Sequence, residues 1–118
     1  MTEQFIDIKG YEGFYKISNL GKVLKLQSKK RLNNGEYMIV PEMILSINSK
    51  SNYPCVALNK NGIIKTFSMH RLMAIHFIPN NDSDKIEVNH IDKNIFNYSL
   101  DNLEWCTRSY NVKYRNKL

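Results

Sequence analysis

The chain has 118 residues, 42% of them hydrophobic and 24% charged, with a formal net charge of +6 at pH 7. That length suffices for one compact domain, or for two very small modules sharing a core, and excludes anything larger. No apolar run approaches the ~20 residues of a membrane span. Met1 to Gly10 has neither a basic start nor a long apolar centre, so no secretory segment is expected and the chain reads as soluble and cytoplasmic. The positive charge points to a polyanionic partner, although many small soluble domains are basic without one.

Phe5 to Leu26, FIDIKGYEGFYKISNLGKVLKL, alternates apolar and polar residues between Gly and Asn breaks. The pattern predicts two or three short strands, with tight turns at Gly10 to Gly13 and at Asn19 to Gly21. Tyr11 and Phe14 read as core, because a small β module needs its aromatics to bury enough surface. Lys16, Lys22 and Lys25 have two readings, as phosphate contacts or as surface charges on a folding cap. Leu26 to Gly35, LQSKKRLNNG, is polar and basic, and reads as an exposed loop or hairpin tip carrying Lys29, Lys30 and Arg31.

Tyr37 to Ile47 gives strand-like runs interrupted by Pro41. Tyr53 to Leu58 pairs naturally with Ile63 to Phe67 across Asn61-Gly62, a strong hairpin signal. Ser68 can cap a helix running to Phe77, with Met69, Leu72, Met73, His76 and Phe77 on one face and Pro79 as its stop. On that face His76 reads as a packed core histidine with a satisfied ring nitrogen. For His70 a structural hydrogen bond is favoured over a place beside a site. Cys55 and Cys106 are too far apart for a CxxC pair and lie among apolar residues, which suggests reduced, buried thiols and argues against a structural zinc.

The stretch from Val88 to Asn111, VNHIDKNIFNYSLDNLEWCTRSYN, is the densest in chemistry-bearing groups. Glu87 to Ile91 reads as a strand ending in Asn89 and His90, Lys93 to Asp101 as a loop, and Leu103 to Cys106 as a second strand. Thr107 then caps a short helix with Asn111 about one turn in. Leu103 and Trp105 form the apolar face of the second strand. Taken singly, Asn94, Asn97 and Asn102 would be turn formers. Hydrolysing a phosphodiester needs a base to activate water and a divalent cation to take up charge. His90 suits the first role, since neutral imidazole exists near neutral pH. The amide oxygens of Asn89 and Asn111 suit a hard cation such as Mg²⁺.

VNHIDKN, the loop, LDNLEWCT and SYNVK together resemble the HNH nuclease motif on its ββα-metal fold, in the form typical of phage and intron homing endonucleases. The resemblance is specific because it fixes a His, an Asn before Leu-Glu-Trp, and a third polar residue. The string from Asp7 to Val23 resembles the small module that often precedes such cores, and HRLMAIHFIPN resembles the helix before the HNH strand. With these, the resemblance covers most of the chain.

The resemblance implies an α+β fold with a β-rich module over residues 1–45, an HNH core over 46–118, and the ββα-metal motif at 86–117. It implies a metal-dependent DNA endonuclease with His90 as base, Asn89 and Asn111 as ligands of Mg²⁺ or Mn²⁺, and Asn102 tying down the loop and helping to orient His90. Relatives often carry Asp where Asn89 stands, so metal affinity without DNA is expected to be weak, and Asp92 is a candidate to compensate, directly or through water. Double-stranded DNA is expected to meet Arg71, Arg108, Lys113, Arg115 and Lys117, with Lys29, Lys30 and Arg31 as a second cluster. One site implies one strand cut per monomer, so a double-strand break needs a homodimer or two events. The chain stops after the last motif helix, where relatives often continue into a DNA-reading domain, and limited or differently encoded specificity is expected. The competing reading is a non-catalytic DNA-binding module derived from such a nuclease.

Overall fold

Alternating residues between glycine turns fold as β1 (Phe5–Asp7), β2 (Tyr15–Ser18) and β3 (Val23–Lys25), which join β6 (Met43–Ile44) in an antiparallel sheet of order β1-β2-β3-β6. β4 (Ser28–Arg31) and β5 (Tyr37–Val40) pair as a separate ribbon, and β7 (Cys55–Lys60) pairs with β8 (Ile63–Ser68). Helix α1 (Met69–Phe77) follows, then β9 (Glu87–His90), a 3₁₀ turn at Leu100–Asn102, β10 (Leu103–Cys106) and helix α2 (Arg108–Asn116). The computed structural model describes residues 2–50 and 52–116, the side chains of Arg115 and Asn116 excepted. Lys117 and the Arg115 side chain, both expected DNA contacts, lie outside the described residues.

One apolar cluster joins the N-terminal sheet to the C-terminal unit. Ile8, Tyr15, Ile17 and Val23 pack with Val56, Leu58, Met69, Met73, Val88 and Leu103. Polar bonds pin the same junction: Asn59 N–H donates to Tyr15 Oη at 3.0 Å, and the Lys9 N–H donates to His76 Nε2 at 2.9 Å. His76 Nδ1 meets the Leu72 carbonyl at 2.7 Å, so both ring nitrogens are satisfied, as the sequence suggested. Gly21 makes a further contact with the C-terminal half. Its φ of +86° favours glycine, and a Cβ there would lie 2.8 Å from the Tyr98 ring.

The Asn61-Gly62 turn has both residues at positive φ, which matches the right-handed twist of the β7–β8 hairpin. Ser68 stands at the N-cap of α1 without a side-chain cap bond; the Met69 N–H donates to the Pro54 carbonyl instead. Met69, Leu72, Met73 and Ala74 are its buried residues.

Three expectations are corrected. Phe14, read as core, is 40% exposed, because it follows the Gly13 turn and lies beneath the Lys60 ammonium, 5.7 Å from its ring centre. Cys55 is only half-buried at the start of β7, whereas Cys106 is buried, and both are free thiols. The basic stretch after Leu26 is a strand: Lys29, Lys30 and Arg31 pair with Ile39, Met38 and Tyr37. That ribbon is exposed along nearly its whole length, and the molecule measures 60 × 29 × 26 Å.

Candidate active site

In the β9–β10 ladder Leu103 stands opposite His90 and Glu104 opposite Asn89. Thr107 caps α2 as predicted, its Oγ1 accepting from the Tyr110 N–H at 3.2 Å. Successive residues of a strand project to opposite faces, so Asn89 and His90 meet different surroundings. Both still line one cleft of about 200 Å³, together with Tyr53, Lys93, Asn111 and Tyr114.

His90, 7% exposed, turns toward α1. Its ring centre lies 4.7 Å from that of His70 and 5.9 Å from that of Tyr53, the latter nearly parallel at 16°. Tyr53 and His70 are 4.8 Å apart, which closes the three-ring group. Among the described residues, His90 Nε2 and His70 Nδ1 are enclosed without a hydrogen-bond partner. Burial pushes the His90 pKa below its ordinary 6.5, with the Asp92 carboxylate pulling the other way. His70 is pushed down to about 4 by burial, then by the charges of His90 and Arg71. The hydrogen bond favoured for His70 is thus not made at Nδ1; its ring braces His90.

Asn89, 3% exposed, faces the other way and donates from Nδ2 to Glu104 Oε1 at 3.0 Å. Asn111, on α2, donates from Nδ2 to Glu87 Oε1 at 2.8 Å. A carboxylate only accepts, so each amide must turn its NH₂ to the acid and its Oδ1 away. Among the described residues no three His, Cys, Asp or Glu side chains gather as a metal set. A cation in the cleft would therefore rest on amide oxygens, a hard donor set that fits Mg²⁺ or Mn²⁺.

Asn102, 7% exposed, secures the loop as expected. Its Oδ1 accepts from the Asp92 N–H, and its Nδ2 donates to Asp92 Oδ1 and to the Asn97 carbonyl, each at 2.9 Å. The Ile91 N–H donates to the Asn102 carbonyl at 2.8 Å, which fixes the turn immediately after His90. Asp92, the candidate extra ligand, has both carboxylate oxygens engaged within this loop. Oδ1 accepts from Asn102 and the Asn94 N–H, and Oδ2 from the Asn97 amide. These bonds hold its pKa below the usual range, the Asn97 bond most. The carboxylate is thus held within the loop, and its charge reaches His90 from there.

Among the described residues, none of the predicted cations lines the cleft. Arg71 donates to the Ile86 carbonyl at 2.9 Å and lies 5.9 Å from the Trp105 ring centre, bracing the approach to β9. Trp105, packed against the core as expected, donates its indole N–H to the Ile78 carbonyl. Arg108 and Lys113 are exposed on α2, Arg108 at 4.0 Å from Glu87. Lys16 and Lys22 pair with Asp7 and Glu3. Sequence reasoning missed Tyr53, Lys93, Tyr114, Glu87 and Glu104. Lys93 follows the motif's Asp92 at a φ of +64° and lies over the Tyr114 ring, whose hydroxyl donates to the Ile91 carbonyl. Glu104 carried the one available signal, a lone acid within a short apolar strand.

A strand, loop, strand and helix that bring one histidine and two asparagines to a single cleft define an HNH-type ββα core. Residues 68–113 match the HNH endonuclease family and residues 3–59 the NUMOD4 motif. Its C-terminal segment belongs to the HNH endonuclease family, with a NUMOD4 motif ahead of it in the chain. It is 39% identical to DNA endonuclease I-HmuI of Bacillus phage SP01, over 91% of this chain and 54% of that protein. It is 37% identical to the uncharacterized HNH endonuclease L245 of Acanthamoeba polyphaga mimivirus, over 85% of this chain and 26% of that one. A solved structure reporting DNA binding and cleavage by the HNH homing endonuclease I-HmuI aligns with a TM-score of 0.71 and 36% identity. It covers 93% of this chain and 56% of that one, so the chain spans about half the length of this relative.

Proposed function

We propose that this chain is a metal-dependent DNA endonuclease that hydrolyses one phosphodiester strand per site. The observation that carries the reading is the convergence of His90, Asn89 and Asn111 on one cleft. Burial keeps the His90 imidazole neutral, so it takes a proton from the attacking water without first having to lose one. Asn89 and Asn111 would hold Mg²⁺ or Mn²⁺, which would neutralise charge on the scissile phosphate and leaving oxygen. Asn102 keeps the turn after His90 closed, so that the ring is held beside the cleft. Lys93, at the cleft wall, is suited to the phosphate.

Double-stranded DNA lies along the exposed cations of α2 and those of the β4–β5 ribbon, with residues 1–45 acting as a positioning module. The protein works in the cytoplasm, as a monomer that nicks or a homodimer that cuts both strands. A plasmid-nicking assay tests this: supercoiled DNA is relaxed with Mg²⁺, and not with chelator or with His90→Ala. Retention of DNA without any nicking under these conditions would leave a binding module in place of an enzyme.

A further inference from the structure

The two asparagines of the cleft are neutral, whereas hard divalent cations are held most firmly by charged oxygen. The missing charge lies one hydrogen bond further out. Glu104 accepts from Asn89 Nδ2 at 3.0 Å and Glu87 accepts from Asn111 Nδ2 at 2.8 Å. Both acids are half-buried, and neither lines the cleft. Such a bond fixes which end of the amide faces the cleft and polarises it, leaving Oδ1 the more negative. The loop asparagines Asn97 and Asn102 also give Nδ2 to a carboxylate, that of Asp92, but their Oδ1 accepts a backbone N–H, from Ser99 and Asp92. An amide that gives its NH₂ to an acid while its Oδ1 takes no backbone N–H among the described residues therefore arises at both cleft asparagines, one on a strand and one on a helix, with partners on different strands.

Resting on the function proposed above, we infer that Glu87 and Glu104 are positioning residues for the cation, orienting Asn111 and Asn89 and supplying the negative charge these ligands lack. Partners of this kind commonly change metal affinity by about 10- to 100-fold.

The test is a titration of the full chain with Mn²⁺ alone, without DNA, read from the spectrum of the free ion and from paramagnetic broadening of the asparagine side-chain amides. Glu104→Leu and Glu87→Leu, which remove acceptor and charge, should each weaken Mn²⁺ binding by about 10- to 100-fold. Glu104→Gln and Glu87→Gln, which keep an acceptor of the same reach, should fall between these and the unaltered chain. Should the Leu variants not fold, the Gln pair carries the test.

A cycle with Asn89→Asp is sharper. Opposite Glu104 a new carboxylate would meet another with no amide proton between them, so its gain in Mn²⁺ affinity should be withheld until Glu104→Gln releases it. Wild-type Mn²⁺ affinity in all four Glu variants, with an additive cycle and weakened binding by Asn111→Ala, would overturn the inference and leave the ligand assignment standing. Wild-type affinity in Asn111→Ala as well would remove the assignment and the inference with it.

Discussion

The two sides of β9 make opposite environments from adjacent residues. On one, His90 sits among the rings of His70 and Tyr53, where its enclosed Nε2 has no partner. On the other, Asn89 meets Glu104, and Asn111 of the overlying helix meets Glu87. A base needs to be neutral before it can accept a proton, and a cation needs fixed oxygen dipoles. A strand can offer both environments at neighbouring positions because its side chains alternate. The lesson is that a low-dielectric wall and a polar one can stand a single residue apart.

Breaking the ring side should have the largest effect. His90→Ala is expected to lower the cleavage rate by about 10² to 10⁴, with folding and DNA binding nearly intact, as for other lost general bases. Because burial lowers the His90 pKa, the rise in rate with pH should have its midpoint below 6.5 and be nearly flat above it. Single-turnover rates over a pH series decide this, and a midpoint at or above 6.5 would place the base in a wetter setting than the ring group. On the polar side, Asn111→Ala should slow cleavage at least tenfold at limiting metal, a loss that higher Mg²⁺ or Mn²⁺ partly restores. Equal rates at limiting metal would remove Asn111 from the ligand set.

How much of this comparison was legible beforehand depends on whether the signal was local. His90, Asn102 and Asn111 stood out through spacing, the Asn61-Gly62 turn through composition, and Met69, Leu72 and Met73 through helical period. The side-chain bonds of Asn102 arise within its own loop, which is why its anchoring role could be anticipated. Pairing of Glu104 with Asn89 depends on strand register, and that register is set by closure of the 91–102 loop, which leaves no periodic trace. The contact of Tyr53 and His70 with His90 is tertiary, made by a loop and a helix remote in sequence. Nothing local to Asp92 told that its carboxylate would be bonded within the loop, to Asn94, Asn97 and Asn102. Arg71 gave no sign that a backbone carbonyl and an indole would engage it.

A smaller effect sharpens the ring side. His70 titrates near 4 in the fold against 6.5 for the free side chain, so the unfolded chain binds the extra proton between these values. Stability is then fully present above about pH 6.5, declines as pH falls toward 4, and loses nothing more to this group below that. After allowance for the solvent that reaches the ring, the loss is on the order of 2 kcal/mol. His70→Phe keeps an aromatic face on His90 and removes the proton site. Denaturant midpoints at pH 7 and pH 4.5 should therefore lie closer together in His70→Phe than in the unaltered chain, and an undiminished gap would assign the acid sensitivity to other groups.

The smallest change on chemistry is expected where the cations lie, because apart from the long approach of Arg108 to Glu87 the described ones touch neither side of β9. Arg108, Lys113 and Arg115 belong to the helix that brings Asn111 to the cleft, and Lys117 follows it in sequence, so DNA held along that helix would run past the site. Each phosphate contact contributes roughly 0.9 to the slope of log affinity against log salt on duplex DNA. Replacing all four with Gln should weaken binding and flatten that slope, while the rate on saturating DNA changes little. Arg108→Gln should cost little stability, since its approach to Glu87 is long and the side chain is 83% exposed. The two readouts separate grip from catalysis. A flattened slope with an unchanged saturated rate places phosphates along α2. An unchanged slope moves the binding surface to Lys29, Lys30 and Arg31 on the β4–β5 ribbon, where strand pairing sets three cations in a row and no acid stands opposite them.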